Sequence, residues 1–232
     1  MARLRAEAAA VGVPLTDPQA ERLVRYLTLI QRWRPRAGLT AVSDPLEAAR
    51  VHIADSLLCL RARIPRNAYL IDVGSGAGFP GIPLAIARPD LHVTLLESEG
   101  RKAAFLEVAV RELVLSATIM ARRAEEAAHD PAARERYDAV VARAVAPLRT
   151  LLELTLPFAR IGGAAVLLKG PRVGAQLKDA RRALELLGGG EAVVTEAHLA
   201  GGEGRQIVVI PKVRTTPSEY PRRSGVPSRR PL

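Results

Sequence analysis

The chain predicts an α/β protein built on a Rossmann-like, doubly wound parallel sheet and carrying an N-terminal helical cap. Three observations lead there. The run Leu70 to Gly81 reads as an apolar strand containing an acid, Asp72, then a glycine turn, Gly74-Ser75-Gly76-Ala77-Gly78, and Pro80, a residue suited to a helix's first turn. From Tyr69 onward short aliphatic runs alternate with helical periodicity, the pattern of parallel strands joined by right-handed crossovers. Ahead of Tyr69 the periodicity is helical alone. At 232 residues the chain can bury one good core, so a single domain with a helical extension is expected.

Thr16-Asp17-Pro18-Gln19 has the form of a capping box, and Ala20, Leu23, Val24, Leu27 and Ile30 follow at helical spacing. Asp44-Pro45-Leu46-Glu47 opens a second helix in the same way, running to about Arg61, and Trp33 is expected to pack within the cap. Strands are predicted over Tyr69 to Val73, His92 to Leu96, Ala117 to Ala121, Ala139 to Arg143 and Ala164 to Lys169, with two last strands near Ala192 to Ala197 and Gln206 to Pro211. Helices are predicted from Pro80, over Glu99 to Leu113, around Leu148 to Phe158 and around Val173 to Leu187. The expected division is 1–66 for the cap, 67–214 for the sheet domain and 215–232 for a basic tail. That tail holds Pro217, Pro221, Pro227 and Pro231 among Arg222, Arg223, Arg229 and Arg230 and is expected to form no regular element. It reads equally as a solvated tail or as an arm that grips RNA, and deleting it should leave the glycine loop's ligand unaffected.

A formal charge of +10 points to a polyanionic partner, because phosphate neutralisation dominates nucleic-acid affinity. Arginine carries nearly all of it, the lysines being Lys102, Lys169, Lys178 and Lys212. With 3% aromatic residues, base-stacking platforms are not expected, and RNA would be held through phosphates and shape. No apolar run approaches the ~18 residues of a membrane span, and Met1 to Ala10 contains Arg3, Arg5 and Glu7 in place of a signal-peptide core. The expectation is a cytoplasmic monomer without membrane association. Cys59 is the lone cysteine, which excludes an internal disulfide and any paired-thiol mechanism. His92, His129 and His198 show no ligand spacing, so no metal is expected.

Two cofactors compete for the glycine loop. Gly76-x-Gly78-x-x-Gly81 with Glu97 downstream matches a dinucleotide fingerprint. Gly74-x-Gly76-x-Gly78 with Asp72 fits S-adenosylmethionine instead, whose cationic sulfonium and ammonium tolerate a carboxylate that a pyrophosphate would find repulsive. Asp72 tips the choice towards the methyl donor; a purely structural turn is the third reading. His52, Asp55 and Ser56 hold the residue types of a hydrolase triad and share a helical face at i, i+3 and i+4. A triad's members must converge from separate elements with an oxyanion hole, so a polar patch facing the cofactor cleft is expected.

Several segments in order resemble the glucose-inhibited division protein B family, also called ribosomal RNA small subunit methyltransferase G. They include Trp33, Leu39-Thr40, Asp44-Pro45, His52 to Ser56, Asp72 to Pro83, Leu95 to Ser98, Arg123 to Glu126, Ala142-Arg143-Ala144, Leu168-Lys169-Gly170, Arg205 to Ile210 and Tyr220 to Arg223. Gly38 and Arg34 stand where the family usually has asparagines. The resemblance implies a class I S-adenosylmethionine-dependent methyltransferase that modifies a guanine N7 in 16S ribosomal RNA, as free RNA or in the small ribosomal subunit. It implies that Gly74 and Phe79 line the donor's methionine part, Glu97 faces its ribose, Ala124 and Glu125 flank its adenine, and Arg143 sits at the reaction centre. With the loop and strand-end residues Asp72, Ser75, Gly76, Gly78 and Ser98, these make up the expected cofactor site. N7 carries no proton, so no catalytic base is expected; arginines should instead grip O6 or a phosphate. Arg143 and Arg205 are the catalytic candidates, and Arg123, Lys169, Arg205, Arg222 and Arg223 the RNA-contacting ones. The rivals are a methyltransferase of another RNA base and a noncatalytic small-subunit assembly factor. Against exocyclic-amine chemistry, the segment after the fourth strand reads Ala142 to Pro147 where an Asn-Pro-Pro-Tyr-like loop would be needed.

Overall fold

The computed structural model describes residues 1–143 and 146–232. Its sheet has seven strands in the order β3-β2-β1-β4-β5-β7-β6, with β1 Tyr69–Val73, β2 His92–Leu96, β3 Ala117–Met120, β4 Tyr137–Arg143, β5 Ala159–Lys169, β6 Val193–His198 and β7 Gly204–Pro211. The first five run parallel and β7 pairs antiparallel with both β5 and β6. The order reverses between β1 and β4, so the crevice at their carboxyl ends is where a ligand is expected in such a sheet.

Leu70 and Ile71, adjacent on β1, pack into different hydrophobic clusters on opposite faces of the sheet. Leu70 joins Leu23, Tyr26, Ile30, Ile53, Ile82 and Phe105. These come from the helical cap, from α5 (Gly81–Ala87) and from α6 (Gly100–Glu112). Ile71 joins Val140, Leu151, Phe158, Leu187 and Val208, under α8 (Leu148–Thr155) and α10 (Arg181–Leu187). Burying one such side chain stabilises by roughly 1.5–3 kcal/mol before the entropy of ordering it is subtracted. Among the described residues no helix is long and apolar enough to cross a membrane.

The cap begins with α1 (Ala2–Ala10), a helix the sequence reading missed; it is alanine-rich and buries Leu4, Glu7 and Ala8. α2 (Asp17–Ala37) starts with the expected capping box and ends at Gly38, whose φ of 55° and N–H on the Arg34 carbonyl terminate it. That left-handed cap suits glycine. Trp33 packs on Phe105 at 5.9 Å between ring centroids.

The second expected helix is continuous but irregular. It comprises α3 (Pro45–Ala48), a π-helical turn over Ala49–Ala54, α4 (Asp55–Leu57) and a 3-10 turn over Leu58–Ala62. π turns insert a residue and re-aim the side chains around them. His52 and Asp55 line the arginine cleft described below, whereas Ser56 is fully buried, its hydroxyl donating to the His52 carbonyl at 2.5 Å. The helix expected over Val173 to Leu187 is two, α9 (Val173–Asp179) and α10. A short α7 (Ala124–Ala127) follows β3.

The last segment departs from expectation most. It forms a short helix, α11 (Val226–Arg229), and is strapped to the domain. Arg222 donates three hydrogen bonds to Glu153, which is fully buried. Arg134 donates to the Thr216, Pro217 and Tyr220 carbonyls, and the Thr150 hydroxyl to that of Pro227 at 3.0 Å. Composition suggests a solvated tail; what overrides it is a set of buried polar groups on the domain that the tail's backbone and Arg222 satisfy.

Candidate active site

The glycine turn after β1 is folded over a buried carboxylate. Gly74, Gly76 and Gly78 all have positive φ, at 72°, 57° and 96°, a region costly for residues with a Cβ. Asp72 Oδ2 accepts from the Gly81 N–H at 2.9 Å, and the Ser75 hydroxyl donates to the Asp72 carbonyl at 2.9 Å. Asp72 Oδ1 has no partner among the described residues, and burial raises its carboxyl to about 7. Asp72, 0% exposed, and Ser75 are both buried, and their bonds hold the shape of the turn. A Cβ on Gly78 would meet Ile82 Cδ1 at 2.5 Å and the Tyr26 hydroxyl oxygen at 2.8 Å. That hydroxyl donates to the Ala77 carbonyl, so α2 braces the turn from the cap side.

A cleft of about 210 Å³ opens at the carboxyl ends of β1, β2 and β3. Gly74, Ser98, Ala124 and Glu125 line it, with Val73, Leu96 and Leu154 supplying apolar surface. Next to it, Glu97 receives the Gly76 N–H at 2.8 Å and the Glu99 N–H at 2.7 Å. Each carboxylate oxygen keeps a lone pair for a ligand hydroxyl. Arg123, expected on RNA, lines this cleft too, beside Arg122, which pairs with Asp130 at 2.8 Å. Ser228 of α11 is a further lining residue and Gly225 donates its N–H to Glu125 Oε1 at 2.9 Å. The sequence reading missed Arg122 and Ser228; neither carries a local signal, since only the fold returns residue 228 to the end of β1.

A second cleft of about 400 Å³ lies at the ends of β4 and β5, lined by Val51, His52, Asp55, Arg143, Leu168, Lys169, Gly170 and Arg205. Asp55, 5% exposed, holds both arginines: Oδ2 accepts from Arg143 Nη1 at 3.0 Å and Oδ1 from Arg205 Nε at 2.6 Å. Asp55 is the functional residue that sequence reasoning noticed but left out of the site. Arg143 also donates to the Val51 carbonyl at 2.9 Å. Lys169 Nζ donates to the Ala146 carbonyl at 3.0 Å, and burial lowers its pKa. Burial and then the Arg143 charge lower His52 to about 4, so its imidazole is neutral at physiological pH. Its Nε2 lies 2.7 Å from the Thr40 hydroxyl.

Phe79 links the glycine loop to the arginine cleft. It belongs to the glycine loop, its ring stacks on His52 at 4.6 Å, and the Arg143 guanidinium carbon lies 4.9 Å from its centroid. Of the tail's arginines, Arg223 is exposed, whereas Arg222 is bound to Glu153. Of the motif after β4, Ala144 lies outside the described residues, as does Val145.

Comparison with known proteins agrees with this fold. Two solved structures show the fold: precorrin-6y C5,15-methyltransferase from Geobacter metallireducens (TM-score 0.50, 15% identity, 68% of this chain and 87% of that one) and M. jannaschii TYW2 in complex with AdoMet (TM-score 0.50, 16% identity, 66% and 75%). Proteins named ribosomal RNA small subunit methyltransferase G are 45% identical in Roseiflexus castenholzii, over 95% of each chain, and 43% identical in Moorella thermoacetica, over 95% of this chain and 93% of that one. The GidB family, described as rRNA small subunit methyltransferase G, matches residues 19–208. The chain belongs to the rRNA small subunit methyltransferase G family.

Proposed function

We propose that the protein transfers a methyl group from S-adenosylmethionine to N7 of a guanine in 16S ribosomal RNA, with the donor in the cleft beside Gly74 and Glu97 and the guanine in the cleft lined by Arg143 and Arg205. As a family member it is a methyltransferase of small-subunit ribosomal RNA. The observation that carries the assignment of the two clefts is the contact of Phe79 with Arg143, which joins the glycine loop to the arginine cleft at the switch point between β1 and β4. The residues present fit the donor. Positive-φ glycines let it approach the backbone, Glu97 offers acceptors to ribose hydroxyls, and Leu96, Ala124 and Leu154 supply an apolar wall for an adenine.

S-adenosylmethionine, when bound, supplies an electrophilic methyl on a sulfonium. The chain's own task is then orientation and charge. Guanine N7 bears no proton, so no residue need act as a base, and His52, neutral and stacked on Phe79, serves as packing surface. Arg143 and Arg205 are aimed by one carboxylate, so their remaining N–H groups are fixed for guanine O6 or a backbone phosphate. Lys169 on the same wall offers a further cation for phosphate. Working as a monomer in the cytoplasm, the enzyme would take either RNA or the small subunit as substrate.

Calorimetry with S-adenosylhomocysteine and with NAD, followed by transfer of labelled methyl to small subunits from cells lacking the gene, tests this. Binding of the former, no heat with NAD, and label in 16S RNA are expected; binding of NAD alone, or label confined to protein, would overturn it.

A further inference from the structure

We propose that the C-terminal arm is a wall of the donor cleft and that its residues Gly225 and Ser228 position the adenosyl end of S-adenosylmethionine, an inference that rests on the donor reading above. The family match stops at residue 208, before the arm begins. Ser228 nevertheless lines the same cleft as Gly74 and Ser98, although more than 150 residues of chain separate it from the glycine turn. Glu125, another lining residue, is buried, and Oε1 of its carboxylate accepts the Gly225 N–H at 2.9 Å. That bond fixes where the carboxylate points, on the wall formed with Ala124 and Leu154. Gly225 has φ 80°, so the turn that presents its N–H suits glycine.

The arm is held at both ends of this contact. Upstream, Arg222 is bound to the buried Glu153 of α8; downstream, Thr150, one turn earlier on the same helix, donates to the Pro227 carbonyl. Helix α8 also provides Leu154 to the cleft floor. One helix thus anchors the arm and lines the pocket, so the arm's position and the pocket's shape are set together. This replaces the sequence expectation that deleting the segment leaves donor affinity untouched.

The test is truncation after Ser224, which removes Gly225 and Ser228 but keeps Arg222 on Glu153, with S-adenosylhomocysteine as the calorimetric probe. Loss of the charge-assisted bond to Glu125 and of one wall should weaken binding by at least about tenfold. The donor KM should rise likewise while kcat at saturating donor holds, a split that a merely structural role would not produce. In the full chain, saturating S-adenosylhomocysteine should slow tryptic cleavage after Arg229. Unchanged affinity in a folded truncation overturns the proposal. Should the truncation fail to fold, cleavage rates indifferent to the ligand overturn it instead. A full-length chain that does not bind S-adenosylhomocysteine would remove the donor reading itself, and the arm's role with it.

Discussion

Asp55 holds Arg205 by a 2.6 Å contact from Oδ1 to Nε, across 150 residues of sequence, and its other oxygen holds Arg143. Two guanidinium groups facing one cleft repel each other unless a carboxylate lies between them. Asp55→Asn keeps the shape and removes the charge. Each charge-assisted bond is worth on the order of 1.5–3 kcal/mol, so turnover should fall by roughly 10- to 100-fold. Affinity for S-adenosylhomocysteine should hold, because Asp55 lines only the arginine cleft. Single-turnover rates on small subunits, with calorimetry alongside, check both; an unchanged rate would make the bridge purely structural.

Gly78→Ala places a Cβ within 2.5 Å of Ile82 and 2.8 Å of the Tyr26 hydroxyl, at φ 96°. Left-handed strain and overpacking together should cost about 2–4 kcal/mol. The turn must shift, so donor affinity should fall as well. Urea midpoints and calorimetry read the two effects, and a variant with parental values in both would contradict the bracing of the turn by α2.

The Asp72 carboxyl, held up at about 7 by burial, makes stability depend on pH. Unfolded, it titrates near 4. Between roughly pH 4 and pH 7 the folded state keeps a proton that the unfolded state has lost, so this group's contribution falls as pH rises and is level above. His52, lowered to about 4 by burial, acts oppositely up to about pH 6.5, and the parent's profile mixes the two. Asp72→Asn removes one of them while keeping an acceptor for the Gly81 N–H. The Tm of the variant minus that of the parent should therefore climb from pH 4 to pH 7 and then level. A flat difference would show that Asp72 is ionised throughout.

Arg222 and Arg223 are neighbours with different expected roles. Arg222→Ala leaves the fully buried Glu153 unpaired and should cost about 3 kcal/mol. Arg223 is exposed; its alanine variant should change stability by no more than about 0.5 kcal/mol. If Arg223 touches a phosphate, that variant should also flatten the log–log salt dependence of RNA binding by roughly 0.7 to 0.9. Denaturation midpoints and filter binding at graded salt separate the pair, and equal stability losses would sink the distinction.

The sheet was legible because its strands are short, apolar and punctuated: Tyr69–Val73 and His92–Leu96 lie at the expected residues. The glycine turn was legible because positive φ selects glycine. What stayed hidden is long-range pairing. Nothing local marks Asp55 as a partner of Arg205, Glu153 as a partner of Arg222, or Ser228 as a cleft residue. The π turn at Ala49–Ala54 carries no sequence signal, and only the packing shows that His52 and Asp55 line a cleft while Ser56 is buried. The bond from the Gly81 N–H to the Asp72 carboxylate, which shapes the turn, has no local signal either.

Methyl transfer to guanine N7 leaves a cationic base whose position can be read in the RNA. Purified protein and radiolabelled S-adenosylmethionine are incubated with small subunits from cells lacking the gene; the extracted 16S RNA is then reduced and subjected to strand scission, which cuts where a guanine has become a cationic N7-methyl base. The account predicts label in the RNA and one enzyme-dependent cut, 3′ to a guanine, absent with the Asp55→Asn variant at short times. Labelled RNA that resists scission would place the methyl on another atom and contradict the arginine-gripped guanine, and unlabelled RNA would contradict the assignment of the two clefts altogether.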